Sequence, residues 1–289
     1  MVIIKVLMLT TKTQSSLKVT PKKAQPFLKW AGGKTQLLDE LIARVPQHFN
    51  TYYEPFIGGG ALFFAISPDD AVLADINQDL VNAYLVVRDH PEELIEALSK
   101  FENEKEAFYE VRSQDQATLS PIDRAARLIY LNRTCFNGLY RVNKSGQFNV
   151  PFAGYKNPNI IQAEKIIRDS KVLQNTTVYH SGFEKVLDKA VEGDFIYLDP
   201  PYYPKSVYSD FKRYNKEQFY KEDHERLAEL YNELSDRGCQ VMLSNSDTPF
   251  TRDLYKHWRV DTVFAKRMIN SDATKRGEVT EIIVTNYDY

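Results

Sequence analysis

Residues 195–202 read Phe-Ile-Tyr-Leu-Asp-Pro-Pro-Tyr, and this stretch is the most informative in the chain. Its first four residues are apolar or aromatic, which predicts a short strand buried in a sheet. Two consecutive prolines can neither continue the strand nor enter the interior of a helix, so the chain stays extended where the strand ends. The stretch therefore places the carboxylate of Asp199 and the ring of Tyr202 at the end of a buried strand.

Strand and helix patterns alternate over most of the remaining chain. The predicted strands are residues 52–54, 72–74, 177–180, 195–198, 240–244, 260–264 and 281–285. The predicted helices among them are residues 35–44, 61–66, 78–87, 216–234 and 249–257. This alternation predicts an α/β fold with a mostly parallel sheet covered on both faces. No long helix separates the last two strands, so we expect them to pair antiparallel at one edge.

The alternation fails between residues 89 and 170. Three helices are predicted there, at residues 91–101, 104–112 and 121–133, with no buried strand between them. Residues 139–142 and 147–150 then flank the turn sequence Asn-Lys-Ser-Gly, which predicts a β-hairpin. We therefore predict a sheet domain made of residues 26–88 and 171–289, interrupted by a mainly helical insertion at residues 89–170.

The totals describe an ordinary globular chain. Its 289 residues are 43% hydrophobic and 26% charged, which suits one large or two unequal domains. No apolar run reaches membrane-spanning length, and the two cysteines have no metal-ligand spacing, so we expect no membrane span, no metal and a reducing cytoplasmic compartment. Residues 1–25 are polar after an apolar start and are expected to form a poorly ordered extension.

Positive charge is concentrated in two segments of a chain whose net charge is −2. Residues 1–34 contain seven lysines and no acidic residue, and residues 133–168 contain six basic residues and one acid. Such segments can bind a polyanion locally, although a solvated surface is the commoner meaning of a charge cluster.

The Asp-Pro-Pro-Tyr sequence suits a flat ring that bears an amino group. The carboxylate of Asp199 and the carbonyl of Pro200 can accept both hydrogens of an exocyclic amine, and Tyr202 can stack on the ring. Pro201 adds no competing amide donor. The alternative for the four residues alone is a polar turn after a core strand.

A glycine-rich turn at residues 54–60, Glu-Pro-Phe-Ile-Gly-Gly-Gly, leaves one predicted strand and enters a helix. Its spacing is neither the dinucleotide fingerprint nor a phosphate loop, so a ligand with an apolar or sulfonium centre fits better than a pyrophosphate. Asp75 ends the next strand, where a carboxylate can accept both hydroxyls of a ribose, or cap the next helix. Gly33-Lys34-Thr35 imitates a phosphate loop, but Leu28 holds the position of the required upstream glycine.

Two further stretches lie beside predicted strands. Residues 132–141 combine amides, arginines and aromatics at the start of the hairpin, which suits contacts with base edges and insertion between bases. The alternative is that the asparagines cap a helix and the aromatics pack beneath the hairpin. Residues 243–248 end another strand, where side chains could line the pocket, although Ser246 or Asp247 is favoured as a helix N-cap.

Together these motifs resemble the Dam-type DNA adenine-N6 methyltransferases of the D12 class. The matching stretches, in family order, are residues 27–34, 53–60, 74–77, 131–152, 194–202, 243–248 and 277–287. They cover nearly everything beyond residue 25, and their combination is specific. The resemblance implies a Rossmann-like S-adenosylmethionine-dependent methyltransferase sheet domain, whose insertion carries DNA recognition.

The resemblance also implies roles for individual residues. The cofactor S-adenosyl-L-methionine would be bound by Trp30, Lys34, Phe56, Gly58, Asp75 and Asp199. The residues that grip a flipped adenine would be Asp199, Pro200, Pro201 and Tyr202. Double-stranded DNA would be contacted by Lys29, Arg133, Phe136, Asn137, Leu139, Arg141, Pro151 and Tyr155.

The expected reaction is methyl transfer to N6 of an adenine flipped out of duplex DNA, in the sequence GATC, by an enzyme that is a monomer in solution. Two alternatives remain. A methyltransferase that acts on RNA or on a protein amide could use a similar proline-tyrosine grip. A DNA-binding regulator that has lost catalysis would keep the basic hairpin without binding the cofactor.

Overall fold

The computed structural model describes residues 24–205, 219–266 and 278–289. Its seven strands form one sheet, in the spatial order β3-β2-β1-β4-β5-β7-β6. In chain order the strands are β1 (Tyr52–Glu54), β2 (Ala71–Asp75), β3 (Thr176–His180), β4 (Phe195–Leu198), β5 (Gln240–Ser246), β6 (Arg259–Lys266) and β7 (Glu278–Thr285). All seven predicted strands are therefore confirmed, with small shifts at their ends.

The first five strands are parallel, and β7 runs antiparallel to both β5 and β6. Strands β1 and β4 are buried at every residue, because helices cover both faces of the parallel region. The predicted antiparallel pair is confirmed, with β6 at the edge. Since β1 and β4 are neighbours while their connections lead to opposite halves of the sheet, their carboxyl ends form a topological switch point.

Ten helices accompany the sheet in the described residues. They are α1 (Leu38–Ile42), α2 (Ala61–Ile66), α3 (Gln78–Asp89), α4 (Pro91–Ser99), α5 (Lys105–Ser113), α6 (Pro121–Thr134), α7 (Ala163–Leu173), α8 (Phe183–Leu187), α9 (Lys221–Asp236) and α10 (Pro249–Leu254). None of the helices in this part of the chain is long and apolar enough to cross a membrane.

Two apolar cores lie on the two faces of the sheet. The larger core joins strand residues such as Leu73 and Phe195 to residues of the segment between β2 and β3, including Leu94, Phe108 and Ile129. The smaller core packs α8, α9 and α10 against the opposite face. Helices α4 to α6 therefore share a continuous core with the sheet. At the predicted domain boundaries, residues 89 and 170, the apolar core continues from the insertion into the sheet domain.

The extension predicted at residues 1–25 falls largely outside the described residues. The two residues of it that the structure describes are part of the fold, since Ala24 is buried in the larger core and the Gln25 N–H donates to Asp169 Oδ1 at 3.4 Å. The ordered chain therefore begins no later than residue 24.

Several helix predictions need correction. Helix α7 was not predicted, and it crosses the predicted boundary at residue 170; it begins after Gln162, whose φ is +47° and whose N–H donates to Asn159 Oδ1. The helix predicted at residues 216–234 begins at Lys221, because the Tyr220 N–H donates to Asp223 Oδ2 at 2.7 Å and caps it there. Residues 216–218 lie outside the described residues.

Two other helices are shorter than predicted. The helix predicted at residues 35–44 is a 3-10 turn (Lys34–Gln36) followed by α1, because Leu37 between them has φ −100° and ψ 3°. The helix predicted at residues 249–257 ends at Leu254, where Tyr255 leaves helical geometry at φ −114°.

The predicted hairpin exists, but its arms are not regular strands. A single bridge joins Val142 to Phe148, and the Asn143 N–H donates to the Gln147 carbonyl at 2.8 Å. Asn143 Oδ1 also accepts from the N–H groups of Ser145 and Gln147, so the side chain closes the turn. Because the turn is held by a side chain, the hairpin keeps its shape with little strand pairing.

Candidate active site

A cavity of about 1480 Å³ opens outside the carboxyl ends of β1, β2 and β4, at the switch point of the sheet. The lining includes every residue that the sequence analysis assigned to the cofactor or to catalysis. These residues are Trp30, Lys34, Phe56, Gly58, Asp75, Asp199, Pro200, Pro201 and Tyr202. The sheet thus brings together three motifs that lie far apart in the chain, as expected for an open α/β fold.

Asp199 lies at the end of β4 and has two partners. Lys34 Nζ is 2.7 Å from Asp199 Oδ1, and the hydroxyl of Ser244 donates to the same oxygen at 2.8 Å. The Ser244 hydroxyl also pairs with the Tyr197 hydroxyl at 2.9 Å. Burial raises the pKa of Asp199, while Lys34 and Ser244 act against that rise, so these two partners favour the carboxylate form.

The loop after Asp199 is held by the end of β5. Asn245 Oδ1 accepts from the Tyr203 N–H at 3.1 Å, and the Ser246 hydroxyl donates to the Tyr203 carbonyl at 2.6 Å. The N-cap prediction for Ser246 or Asp247 is wrong, because Thr248 caps α10 through its side chain. Ser244 and Asn245 belong to the stretch 243–248 that was expected to line the pocket, and their partners Asp199 and Tyr203 lie in the loop after β4.

Tyr202 is fixed at both its ring and its hydroxyl. The hydroxyl donates to Glu281 Oε2 of β7 at 2.8 Å, and Lys34 Nζ lies 4.5 Å from the centre of the ring. An ammonium at this distance from an aromatic face is attracted by the ring quadrupole. Glu281 was also missed, since an acidic residue in an edge-region strand carries no local signal of a site.

The glycine turn between β1 and α2 is shaped by close contacts. Gly58 (φ +46°) donates its N–H to Asp75 Oδ2 at 3.1 Å, and Asp75 Oδ1 accepts from the Asn77 N–H at 2.9 Å. Gly60 has φ +67°, and a Cβ there would lie 2.7 Å from the Tyr84 hydroxyl oxygen. Only glycine fits this position, which lets the backbone approach the cavity closely.

The donor set of this cavity fits S-adenosylmethionine. The two oxygens of Asp75 accept the N–H groups of Gly58 and Asn77, which fixes the carboxylate at the end of β2, where a carboxylate can accept the hydroxyls of a ribose. Phe56 stacks on Phe183 with ring centres 5.4 Å apart, which gives the cavity an apolar aromatic wall beside Asp75. The described residues contain no group of His, Cys, Asp or Glu that could hold a metal ion.

Glu54 is a further carboxyl in the wall of the cavity. It is buried, and the Tyr52 hydroxyl donates to its Oε2 at 2.7 Å. Burial raises the pKa of Glu54 to about 8, although the hydrogen bond from Tyr52 lowers it. Near neutral pH this carboxyl is therefore largely protonated.

Five of the residues assigned to DNA form one cluster at the start of the hairpin. The Phe136 N–H donates to the Pro151 carbonyl at 2.9 Å, the Asn137 N–H donates to the Tyr155 hydroxyl at 3.1 Å, and Lys29 Nζ lies 5.8 Å from the centre of the Tyr155 ring. Phe136 is 53% exposed although it is a large apolar side chain. Tyr155 is also exposed, so the turn presents two aromatic side chains beside Lys29.

The other three assigned residues lie outside this cluster. Arg141 is exposed, and its Nε donates to Asn149 Oδ1 at 2.6 Å across the hairpin. Leu139 is half-buried and packs against the larger core. Arg133 lines the cavity and donates to the Phe27 carbonyl, and burial lowers its pKa to about 10. This position indicates that Arg133 stabilises the cavity wall rather than contacting DNA.

A family model described as D12 class N6 adenine-specific DNA methyltransferase matches residues 30–269. Two relatives are Type II methyltransferases: M1.LlaDCHI of Lactococcus lactis subsp. cremoris is 45% identical over 91% of this chain and 95% of its own, and M.MjaIII of Methanocaldococcus jannaschii is 39% identical over 92% and 100%. A DNA adenine methylase of Serratia marcescens is 37% identical over 91% and 98%.

The family match spans most of the chain, and each of these relatives is matched over nearly its full length. The chain therefore belongs to the D12 class N6 adenine-specific DNA methyltransferases and is an enzyme of that kind.

Proposed function

We propose that this enzyme transfers a methyl group from S-adenosylmethionine to N6 of an adenine that is flipped out of duplex DNA, within the sequence GATC. We further propose that it acts as a monomer. The observation that carries the proposal is that Asp199 and Tyr202 lie together at the switch point of the sheet. Both line the cavity that the glycine turn also lines.

The cofactor would be held by residues from the ends of β1 and β2 and from the segment before α1. Asp75 would accept the ribose hydroxyls, the turn at Phe56 and Gly58 would contact the amino-acid part, and Trp30 would supply an aromatic face. Lys34, whose Nζ lies 2.7 Å from Asp199 Oδ1, would hold a carboxylate. When bound, the cofactor would supply an electrophilic methyl group on a sulfonium centre.

The protein would activate the adenine amine through hydrogen bonds. Asp199 Oδ and the Pro200 carbonyl would accept the two N6 hydrogens, which favours a more tetrahedral and more nucleophilic nitrogen. The Asp199 carboxylate would also stabilise the positive charge that develops on N6 during transfer. Tyr202, held by Glu281, would stack on the purine and fix its distance from the carboxylate.

Residues at the start of the hairpin would recognise the DNA sequence. Removing an adenine from the stack costs a few kcal/mol, and the exposed ring of Phe136 could occupy the vacated space. Arg141 would contact a base edge in the major groove, with Asn149 fixing one side of the guanidinium. Lys29, Asn137 and Tyr155 would support the same contact from the turn below.

The direct test is methyl transfer from labelled S-adenosylmethionine to two duplexes that differ only by GATC in one and GTTC in the other. Digestion to nucleosides should give labelled N6-methyladenine from the first duplex alone. Label in both duplexes would remove the GATC assignment. Label only in RNA or in a protein acceptor would refute the proposal.

The role of Asp199 has its own test. Asp199→Ala should abolish methyl transfer, with the fold intact by circular dichroism, because it removes the side-chain acceptor that is proposed to act beside the Pro200 carbonyl. Asp199→Asn is the matched variant, since it keeps the shape of the side chain but removes its charge. Near-normal turnover in Asp199→Ala would refute the assignment.

A further inference from the structure

The hairpin that is proposed to read DNA also forms part of the cofactor cavity. Tyr140, in the first arm of the hairpin, lines the same cavity as Trp30 and Gly58. The rings of Tyr140 and Trp30 are stacked, with their centres 4.9 Å apart and their planes at 23°. This stack is a direct side-chain contact between the two proposed binding regions.

Trp30 is also packed against the glycine turn. A Cβ built on Gly58 would lie 3.0 Å from Trp30 Cδ1, and one built on Gly59 would lie 3.4 Å from Trp30 Cβ. These contacts leave little room for the indole to move without the turn. A shift of Trp30 when the cofactor binds must therefore be accommodated by Tyr140, by the turn or by both.

Tyr140 is anchored on its other sides. Its hydroxyl donates to Asp79 Oδ2 at 3.4 Å, and its ring meets the edge of Phe148 in the second arm of the hairpin. Asp79 is itself paired with Arg124 of α6. Tyr140 thus links the start of α3, which follows the proposed ribose site, to both arms of the hairpin.

The backbones of the two regions are joined by one buried amide. The side chain of Asn132 is fully buried; its Oδ1 accepts from the Lys29 N–H at 2.9 Å, and its Nδ2 donates to the carbonyls of Lys29 and Gly138 at 2.8 and 2.9 Å. These hydrogen bonds join the segment that carries Trp30 to the turn that carries Phe136 and Asn137. Tyr140 adds a side-chain contact between the segment of Trp30 and the first arm of the hairpin.

We propose that Tyr140 is a positioning residue that couples cofactor binding to recognition of the DNA target through its stack on Trp30. The inference rests on the proposed function of the two sites. Because coupling between two sites is reciprocal, the cofactor should tighten binding of the cognate duplex by the same factor by which the duplex tightens binding of the cofactor.

The test compares Tyr140→Leu, which removes the ring, with Tyr140→Phe, which keeps the stack and removes only the hydroxyl. S-adenosylhomocysteine serves as the ligand because it carries no methyl group to transfer. Its Kd is measured by calorimetry alone and with a saturating GATC duplex, and the Kd of the duplex is measured with and without it.

In the wild-type enzyme the duplex should tighten S-adenosylhomocysteine binding, and Tyr140→Phe should retain that factor. In Tyr140→Leu the factor should fall by about 2- to 12-fold, as expected from the loss of one stacked aromatic pair. A purely structural role would weaken both ligands while leaving the coupling factor unchanged.

An unchanged factor in Tyr140→Leu, or a factor of one in the wild type, would overturn the inference and leave the proposed function standing. A wild-type enzyme that binds no S-adenosylhomocysteine would refute the proposed function and this inference with it. The two failures are therefore distinguishable in the same experiment.

Discussion

Replacing Ser244 by alanine tests whether the end of β5 controls the chemistry of Asp199. The Ser244 hydroxyl donates to Asp199 Oδ1 at 2.8 Å and is completely buried. Without it, the carboxylate loses the hydrogen bond that fixes its orientation from the end of β5. We expect Ser244→Ala to lower kcat/KM for the GATC duplex.

The size of the effect follows from the charge on the acceptor. A hydrogen bond to a charged group contributes about 1.5–3 kcal/mol, which corresponds to about a 10- to 150-fold loss in rate. The hydrogen bond also lowers the pKa of Asp199, against the rise that burial causes. Its removal raises that pKa, so the acid limb of the pH–rate profile should move to higher pH, and the loss should be greatest at low pH.

The assay is the pH dependence of kcat/KM with labelled S-adenosylmethionine. Tyr197→Phe is the matched control, because it removes the hydroxyl that pairs with Ser244 and leaves the Ser244–Asp199 hydrogen bond in place. Ser244→Ala also leaves the buried Tyr197 hydroxyl without this partner, at a cost to stability of about 1–3 kcal/mol. The double variant should recover stability in urea unfolding without recovering activity. An unchanged acid limb in Ser244→Ala would refute the reasoning.

Three further outcomes are expected. Arg141→Ala should reduce discrimination between GATC and one-base-altered duplexes by about 1–3 kcal/mol while S-adenosylhomocysteine binding stays the same, and unchanged discrimination would contradict the role of Arg141. Glu281→Ala and Tyr202→Phe should each lower methyl transfer, and in a double-mutant cycle the second change should add nothing; full additivity would show that their hydrogen bond is irrelevant. Burial raises the pKa of Asp169 to about 7, well above its value in an unfolded chain, so the stability that its protonated form provides is present at low pH and is lost as pH rises through about 7. Asp169→Asn should therefore raise the free energy of unfolding above pH 7, on the order of 4 kcal/mol, and flatten its pH dependence in urea titrations; parallel curves for the two proteins would be evidence against this.

The elements that the sequence predicted well are those with a strong local pattern. The run at residues 195–198 and the prolines after it placed β4 and its end correctly, because burial on both faces requires a continuous apolar stretch. The helices that it missed are α7, which starts at the left-handed residue Gln162 without a side-chain cap, and α8, which has only five residues, so neither has a clear local start signal. The hairpin was predicted from its turn, whereas its irregular arms depend on packing beneath it.

The α/β class, the positions of the strands and the residue types that line the cavity could be predicted from the sequence. Periodic burial and turn residues form patterns among residues that are neighbours in the chain. Only the tertiary structure decided that β7 lies between β5 and β6, that Ser244 bonds to Asp199 across 45 residues, and that Glu281 holds Tyr202 across 79. These contacts are set by the order and register of strands. The order of the strands depends on how residues from the whole chain pack into the two apolar cores. It therefore cannot be predicted from any one short stretch of sequence.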